Sequence, residues 1–367
     1  MDRTTALSEA EYHEKTETVR RIVKEAIQAT DDHQGFAQHI QAARNMYSFS
    51  DMNLYHMLGV HEAETRASMA LETAARLMIT KSIDHSAEYM APLSSNLEMV
   101  DVNGALARAV GGEGCVIAGF HIGPYYSIVP VLVRYNCNFS ILFPPALESQ
   151  RPLMKKVIEA NLSYYSSRSE YDFIDISGKG FLFKMKRALN SGRCLLVYLD
   201  GFGGYSANRN DGNDINIRVH RTELTIKATI ARLAKHSGKS LILFHAHYGR
   251  GLERRIVLEE VSGPDPSLIS LSDERDGVHE TENMFGILGR LLASAPAEWE
   301  GWCYINTFYS AAELECIRAN ESNNSECFQD RYFVMNRGEK YTTVLDKVRV
   351  SIRRVPNSSA TVCSGHT

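Results

Sequence analysis

The sequence predicts an α/β protein with a mainly parallel or mixed central sheet flanked by helices, preceded by a helical region. Three observations predict it. From Gly111 onward, short apolar runs alternate with amphipathic stretches of about 10–15 residues, the pattern of strands joined by crossover helices. Two of the runs, Cys115–Phe120 and Cys194–Leu199, are apolar throughout. Ahead of them, apolar side chains recur at helical rather than alternating spacing. The expected organisation is an N-terminal helical region over 1–100, an α/β domain over 101–310 and a C-terminal extension over 311–367.

The elements follow in order. Residues 1 to about 98 read as helical, with helices at Glu9–Ala29, Phe36–Met46 and His61–Ile83, the last rich in Ala, Leu and Met. Helices of this composition pack on a core or a partner. The character changes at Gly111-Gly112-Glu113-Gly114. Strands are expected at Cys115–Phe120, Phe139–Phe143, Phe173–Ile176, Cys194–Leu199, Ser240–His245 and Arg255–Glu260, with Asp214–Val219 as an exposed or edge strand. Helices are expected at Ser127–Tyr135, Arg151–Tyr165, Phe181–Asn190, Thr222–His236 and Glu280–Ala293, with Gly238 as the stop of the fourth. From about Ala311 the chain is less periodic. NESNNSE reads as an exposed loop, KVRVSIRRV as a basic alternating strand and PNSSATVCSGHT as disordered.

Composition narrows the function classes. The 367 residues amount to about two domains at roughly 150 residues each. Hydrophobic residues are 44% and charged residues 23%, ordinary for a soluble globular protein. A net charge of −4 excludes a general nucleic-acid coat while leaving room for local basic patches. No apolar run approaches the ~20 residues of a membrane span, and the polar N-terminus shows no signal peptide. Seven cysteines, an odd number with no CxxC spacing, argue against a disulfide framework or zinc knuckle and fit a reduced, cytoplasmic protein.

Three segments carry candidate chemistry. In GFHIGPYYS, Gly119–Ser127, His121 directly follows an apolar strand and precedes a Gly-Pro turn. A neutral imidazole there can take a proton from an attacking hydroxyl or amine; the plainer alternative is a turn histidine satisfied by backbone. In LDGFGGYSANRNDGND, Leu199–Asp214, a long polar loop follows a strand that ends at Asp200. It lacks the acidic spacing of a calcium loop, and no dinucleotide or Walker fingerprint is present, so no metal is expected. In FHAHYGRGLERR, Phe244–Arg255, His245 and His247 share one side of a strand without an obvious third ligand, and read as satisfied histidines. No serine stands in a G-x-S-x-G context. Ligands of such sheets bind beyond the carboxyl ends of the strands, which puts His121 and Asp200 on one rim.

Together, CVIAGFH, KMKRALNSGR, CLLVYLDGFGGYS, TIKATIARLAKHSG, SLILFHAHYGRGLERRIVLEEV and APAEWEGWCYINTF resemble the late acyltransferases of lipid A biosynthesis. These belong to the wider lysophospholipid-acyltransferase-like superfamily, and the likeness runs over roughly Asn103–Phe308. The resemblance implies a glycerolipid-acyltransferase-like fold. It also implies transfer of an acyl group from an activated donor to a hydroxyl or amine, with the strand-end His as general base in a His-x4-acid motif. His121 matches the His, whereas the acid position holds Tyr126. A carboxylate raises the basicity of His and fixes its tautomer; a tyrosine can only hydrogen-bond. Three readings follow: another carboxylate such as Asp200 supplies the charge, the acceptor is an already nucleophilic amine, or the chain is a non-catalytic acyl- or carrier-binding protein.

The resemblance also sets expectations for substrates. Lipid A acyltransferases carry a membrane-anchoring helix, but Met1–Glu98 is charged and helical, which favours a small soluble acceptor of specialised metabolism. The donor would be carried on phosphopantetheine by an acyl-carrier protein, on coenzyme A, or as an aminoacyl ester on tRNA; no other cofactor is required. His121 is then the base, Asp200 pairs with it or orders its loop, and Tyr126 orients it or binds the oxyanion. Pro124, Tyr125 and Tyr126 wall an acyl pocket. Arg151 or Arg168, and less so Arg209, would meet a donor phosphate. The basic stretches Lys184–Arg187, Arg250–Arg255 and Arg349–Arg354 could touch a phosphopantetheine arm or RNA.

Overall fold

The structure is a computed structural model. It describes residues 8–28, 38–84, 86, 89, 93–201, 214–263, 277–322, 326–328, 331–337 and 341–356. The chain divides into two compact units, neither continuous in sequence. One comprises Met1–Thr16, Ile79–Ile215 and Ile226–Leu291, the other Glu17–Met78, Asn216–Thr225 and Leu292–Thr367. The division falls within the first helix, α1 (Glu9–Gln28).

The first unit is built on a seven-stranded mixed sheet flanked by helices. Its strands are β1 (Leu97–Asp101), β2 (Cys115–Gly119), β3 (Phe139–Phe143), β4 (Tyr171–Asp175), β5 (Cys194–Tyr198), β8 (Leu241–Tyr248) and β9 (Arg254–Ser262). The order is β1-β9-β8-β2-β5-β3-β4. Strands β8, β2, β5, β3 and β4 run parallel; β9 is antiparallel to β8, and β1 is parallel to β9. The central strands are aliphatic because both their faces are covered. Ile117, Leu196, Ile141 and Ile242 bury one face in a core with Leu132 and Ile158, while the alternate residues Val116, Leu195 and Leu243 are equally buried on the other. The helices of this unit are α4 (Ala105–Val110), α5 (Ile128–Arg134), α6 (Arg151–Tyr165), α7 (Phe181–Asn190), α8 (Thr229–His236) and, as far as Leu291, α9 (Val278–Ser294).

The second unit holds α2 (Gln38–Asn53), α3 (Ala63–Ile79) for all but its last residue, α10 (Ala311–Ala319) and a three-stranded antiparallel sheet. The sheet is β10 (Tyr332–Arg337), β11 (Tyr341–Asp346) and β12 (Ser351–Pro356). Trp299 and Trp302 are fully buried and meet edge to face at 4.8 Å between centroids. Asp51 accepts from Arg66 at 2.6 Å and from Lys347 at 2.8 Å, all three buried.

Four expectations are corrected. The helical region does not run to about residue 98: β1 begins at Leu97 and pairs with β9, a partner far along the chain that no local pattern reveals. Thr222–His236 is not one helix, because Thr222–Lys227 is strand β7 and only Thr229–His236 is helical. Thr222, Leu224 and Ile226 alternate into the interior, and β7 joins β6 (Asp214–Val219) in a two-stranded sheet across His220, whose φ is 51°. The basic run 347–355 is not one strand, since Lys347–Val350 forms a turn ahead of β12. After Ala311 the chain is more regular than its periodicity suggests, with α10 and three strands. Residues 357–367 lie outside the described residues.

Candidate active site

The site begins where β2 and β5 end side by side. Gly119 pairs with Tyr198 in register, and the Leu199 N–H donates to the Gly119 carbonyl at 2.8 Å. This last bond holds the chains together one residue before Asp200 and two before His121. Gly119 is required here, because a Cβ would collide with the ring of Phe244 on β8. Beyond it the chain turns sharply: the Ile122 N–H reaches the Phe120 carbonyl at 2.8 Å, and Gly123 adopts φ 58°, which favours glycine. His121 therefore projects from a tight turn at the carboxyl edge of a buried sheet.

The structure brings His121 and Asp200 together. The Asp200 carboxylate lies 2.8 Å from His121 Nδ1 and also accepts the His121 backbone N–H, at 3.2 and 3.1 Å to its two oxygens. The Asp200 side chain is fully buried, and that of His121 is 18% exposed. With Nδ1–H donating to the carboxylate, the ring's lone pair is on Nε2, the tautomer a general base needs.

Tyrosines surround the imidazole. Tyr198 stacks on His121 with centroids 4.5 Å apart, and Tyr125 meets it edge-on at 4.7 Å. The Tyr125 hydroxyl donates to the Tyr126 hydroxyl at 2.5 Å. Tyr198 escaped sequence analysis; the available signal was a tyrosine closing an otherwise aliphatic strand, two residues before Asp200.

An apolar cleft of about 570 Å³, its open mouth included, adjoins this cluster. Ile141 and Leu196 from the sheet, Val129 from α5 and Leu153, Met154 and Val157 from α6 line it, with Tyr126 and Tyr198 at its walls. Of the expected acyl-pocket wall, Tyr126 lines the cleft, while Pro124 and Tyr125 are buried. No spacing in the sequence marked α6 as the opposite wall.

The arginines separate. Arg151 opens α6 on the same rim as His121, pairs with Glu148 at 2.8 Å and lies over the rings of Phe143 and Phe173. Arg168 does not join it: it precedes β4, at the amino end of the parallel strands, and its N–H binds Asn136. Arg209 and the loop 202–213 lie outside the described residues. Within Arg250–Arg255, Arg254 is buried and donates to the Tyr12 hydroxyl at 2.8 Å, so that stretch is not a continuous basic face. In the stretch 349–354, Arg349 is bound to Glu321.

His245 and His247 hydrogen-bond to each other at 2.7 Å. Burial, then the neighbouring His247 and Arg255, push His245 down to about 4; burial and Arg255 lower His247. Among the described residues no group of three or more His, Cys, Asp or Glu could hold a metal ion. No helix among them is long and apolar enough to cross a membrane. Compared with models of known protein families and with curated protein sequences, the chain matches none of them.

Proposed function

We propose that the chain is an acyltransferase with a lysophospholipid-acyltransferase-like fold. In this reading His121 is the general base and Asp200 takes the place of the acid absent at Tyr126. The observation that carries it is the buried Asp200 carboxylate, bound to both the ring and the backbone of His121. A hydroxyl or amine of a small acceptor attacks the carbonyl of a thioester donor while Nε2 of His121 takes its proton. A C–O or C–N bond forms and the C–S bond breaks. The leaving thiolate then recovers the proton from the imidazolium, which Asp200 stabilises in between.

The donor is an acyl group on an acyl-carrier protein or coenzyme A. The apolar cleft beside the dyad supports a hydrocarbon acyl group over an aminoacyl group from tRNA. The reaction would take place in the cytoplasm, with Arg151 a candidate for a donor phosphate on the same rim as His121.

Intact-mass spectrometry tests this. Pools of acyl-carrier, acyl-coenzyme A and aminoacyl-tRNA donors are offered with soluble amines and alcohols to the wild type, His121→Ala and Asp200→Asn. A new ester or amide that requires both residues is expected. Donors that bind without product would instead make the chain a non-catalytic binding protein.

A further inference from the structure

We propose that Tyr198 is a positioning residue for His121, its ring fixing the plane of the imidazole and favouring the imidazolium formed during proton transfer. The role of the imidazolium rests on the general-base reading of His121; the fixing of the plane rests on geometry alone. Asp200 holds His121 at Nδ1 and at the backbone N–H. A planar ring held at one atom can still tilt about that contact. Tyr198 removes the tilt, because its ring lies within 24° of the imidazole plane with centroids 4.5 Å apart.

The placement follows from the strands. Tyr198 stands two residues after Leu196 on β5 and shares its side of the sheet, where both line the cleft. Its partner in register is Gly119, whose missing side chain leaves room for the ring of Phe244 on β8. Phe244 meets Tyr198 at 5.8 Å and 79°, and Tyr125 meets it at 5.3 Å and 76°. These two near-perpendicular rings hold Tyr198 in place before any ligand arrives.

Charge makes the contact differential. The face of an aromatic ring carries negative potential and attracts a cation. In the proposed step His121 starts neutral and becomes an imidazolium when Nε2 takes the acceptor's proton. The stack therefore strengthens towards the transition state, and only such interactions raise the rate of the chemical step. Of the two tyrosines that touch the imidazole, Tyr198 is stacked on it, whereas Tyr125 stands at 83°. Asp200 stabilises the same cation from the ring edge and Tyr198 from its face.

The test reads His121 without any substrate. The full chain, labelled in its 13 histidines, is titrated by NMR, and the His121 signal is assigned by its absence in His121→Gln. Tyr198→Leu and Tyr198→Met keep the cleft wall apolar but remove the aromatic face. Each should lower the His121 midpoint by about half a pH unit, about threefold in proton affinity, as expected for loss of a cation–π contact. Tyr198→Phe restores the face and should return the midpoint to the wild-type value. Met154→Ala alters the cleft wall alone and should not move it. Among the described residues, the other ionisable groups facing the ring are Asp200 from the end of β5 and Tyr125 from the turn, with Tyr126 bonded behind it, and all three are retained in these variants. Circular dichroism melts verify folding. Where turnover is measured, the loss in Tyr198→Leu should fall on kcat rather than on KM alone. A midpoint unchanged in both Tyr198→Leu and Tyr198→Met overturns the proposal, as does an equal shift in Met154→Ala. A lowered midpoint in a chain that forms no product supports the stack and overturns the acyl-transfer reading instead.

Discussion

Asp200 grips His121 at two points, the ring Nδ1 and the backbone N–H, from a position with no exposure of its own. Bonding to the ring alone would orient the imidazole. Bonding to the backbone as well fixes the turn that carries it. The residue therefore serves both fold and site, and the two roles separate by substitution. Asp200→Ala leaves the His121 donors unsatisfied in a buried place and should cost about 1–3 kcal/mol in urea unfolding. Asp200→Asn retains an acceptor and should lose less stability, yet turnover should fall by about 10²–10⁴-fold, as for loss of an acid–base partner.

Tyr126 stands at the position where the resemblance leads one to look for an acid, but its hydroxyl is engaged by Tyr125. Tyr126→Phe should therefore cost about 0.5–1.5 kcal/mol in thermal or urea unfolding. It should leave the pH dependence of turnover unchanged, because the charge partner of His121 is retained. A shifted pH–rate profile would instead make Tyr126 part of the proton path.

The Asp51 carboxylate in the second unit is shared by Arg66 and Lys347, with side chains only 3–9% exposed. Asp51→Ala would leave two buried cations without their anion. A loss of about 3–5 kcal/mol is expected, larger than for any exposed ion pair, measured by chemical unfolding. Arg151→Ala, which removes a pair whose acidic partner Glu148 is exposed, should lose less, about 1 kcal/mol.

His245 gives the fold an acid limb. Its folded value lies near 4 against 6.5 in the unfolded chain. The unfolded chain thus takes up the proton first, and stability is full above about pH 6.5 and erodes as pH falls from there towards 4. Melting temperatures across that window should fall less steeply for His245→Gln than for the wild type. Parallel curves would show that this side chain does not carry the acid sensitivity.

Much of the site was legible because strand ends are local features. The apolar runs Cys115–Phe120 and Cys194–Leu199 end in polar residues, and parallel alignment alone brings His121 and Asp200 to one rim. What stayed hidden depends on contacts between distant segments. β1 becomes a strand only through β9, and Thr222–Lys227 only through its pairing with β6. The cleft needs α6 laid across the sheet, which helical spacing within α6 does not specify. Arg168 reads like Arg151 in sequence, and only the direction of β4 sets it at the opposite edge.

The discontinuity of the first unit has a consequence for how the protein is made. Strands β2 and β5, with the dyad at their ends, have both been synthesised once Asp200 is added. Their neighbour β8 follows only at Leu241, and β1, synthesised early, must wait for β9 to begin at Arg254. The unit itself is complete only at Leu291. During translation the edge that carries His121 and Asp200 thus belongs to a sheet still open on one side, and a fragment stopped before Arg254 would carry both residues while leaving β1 unpaired.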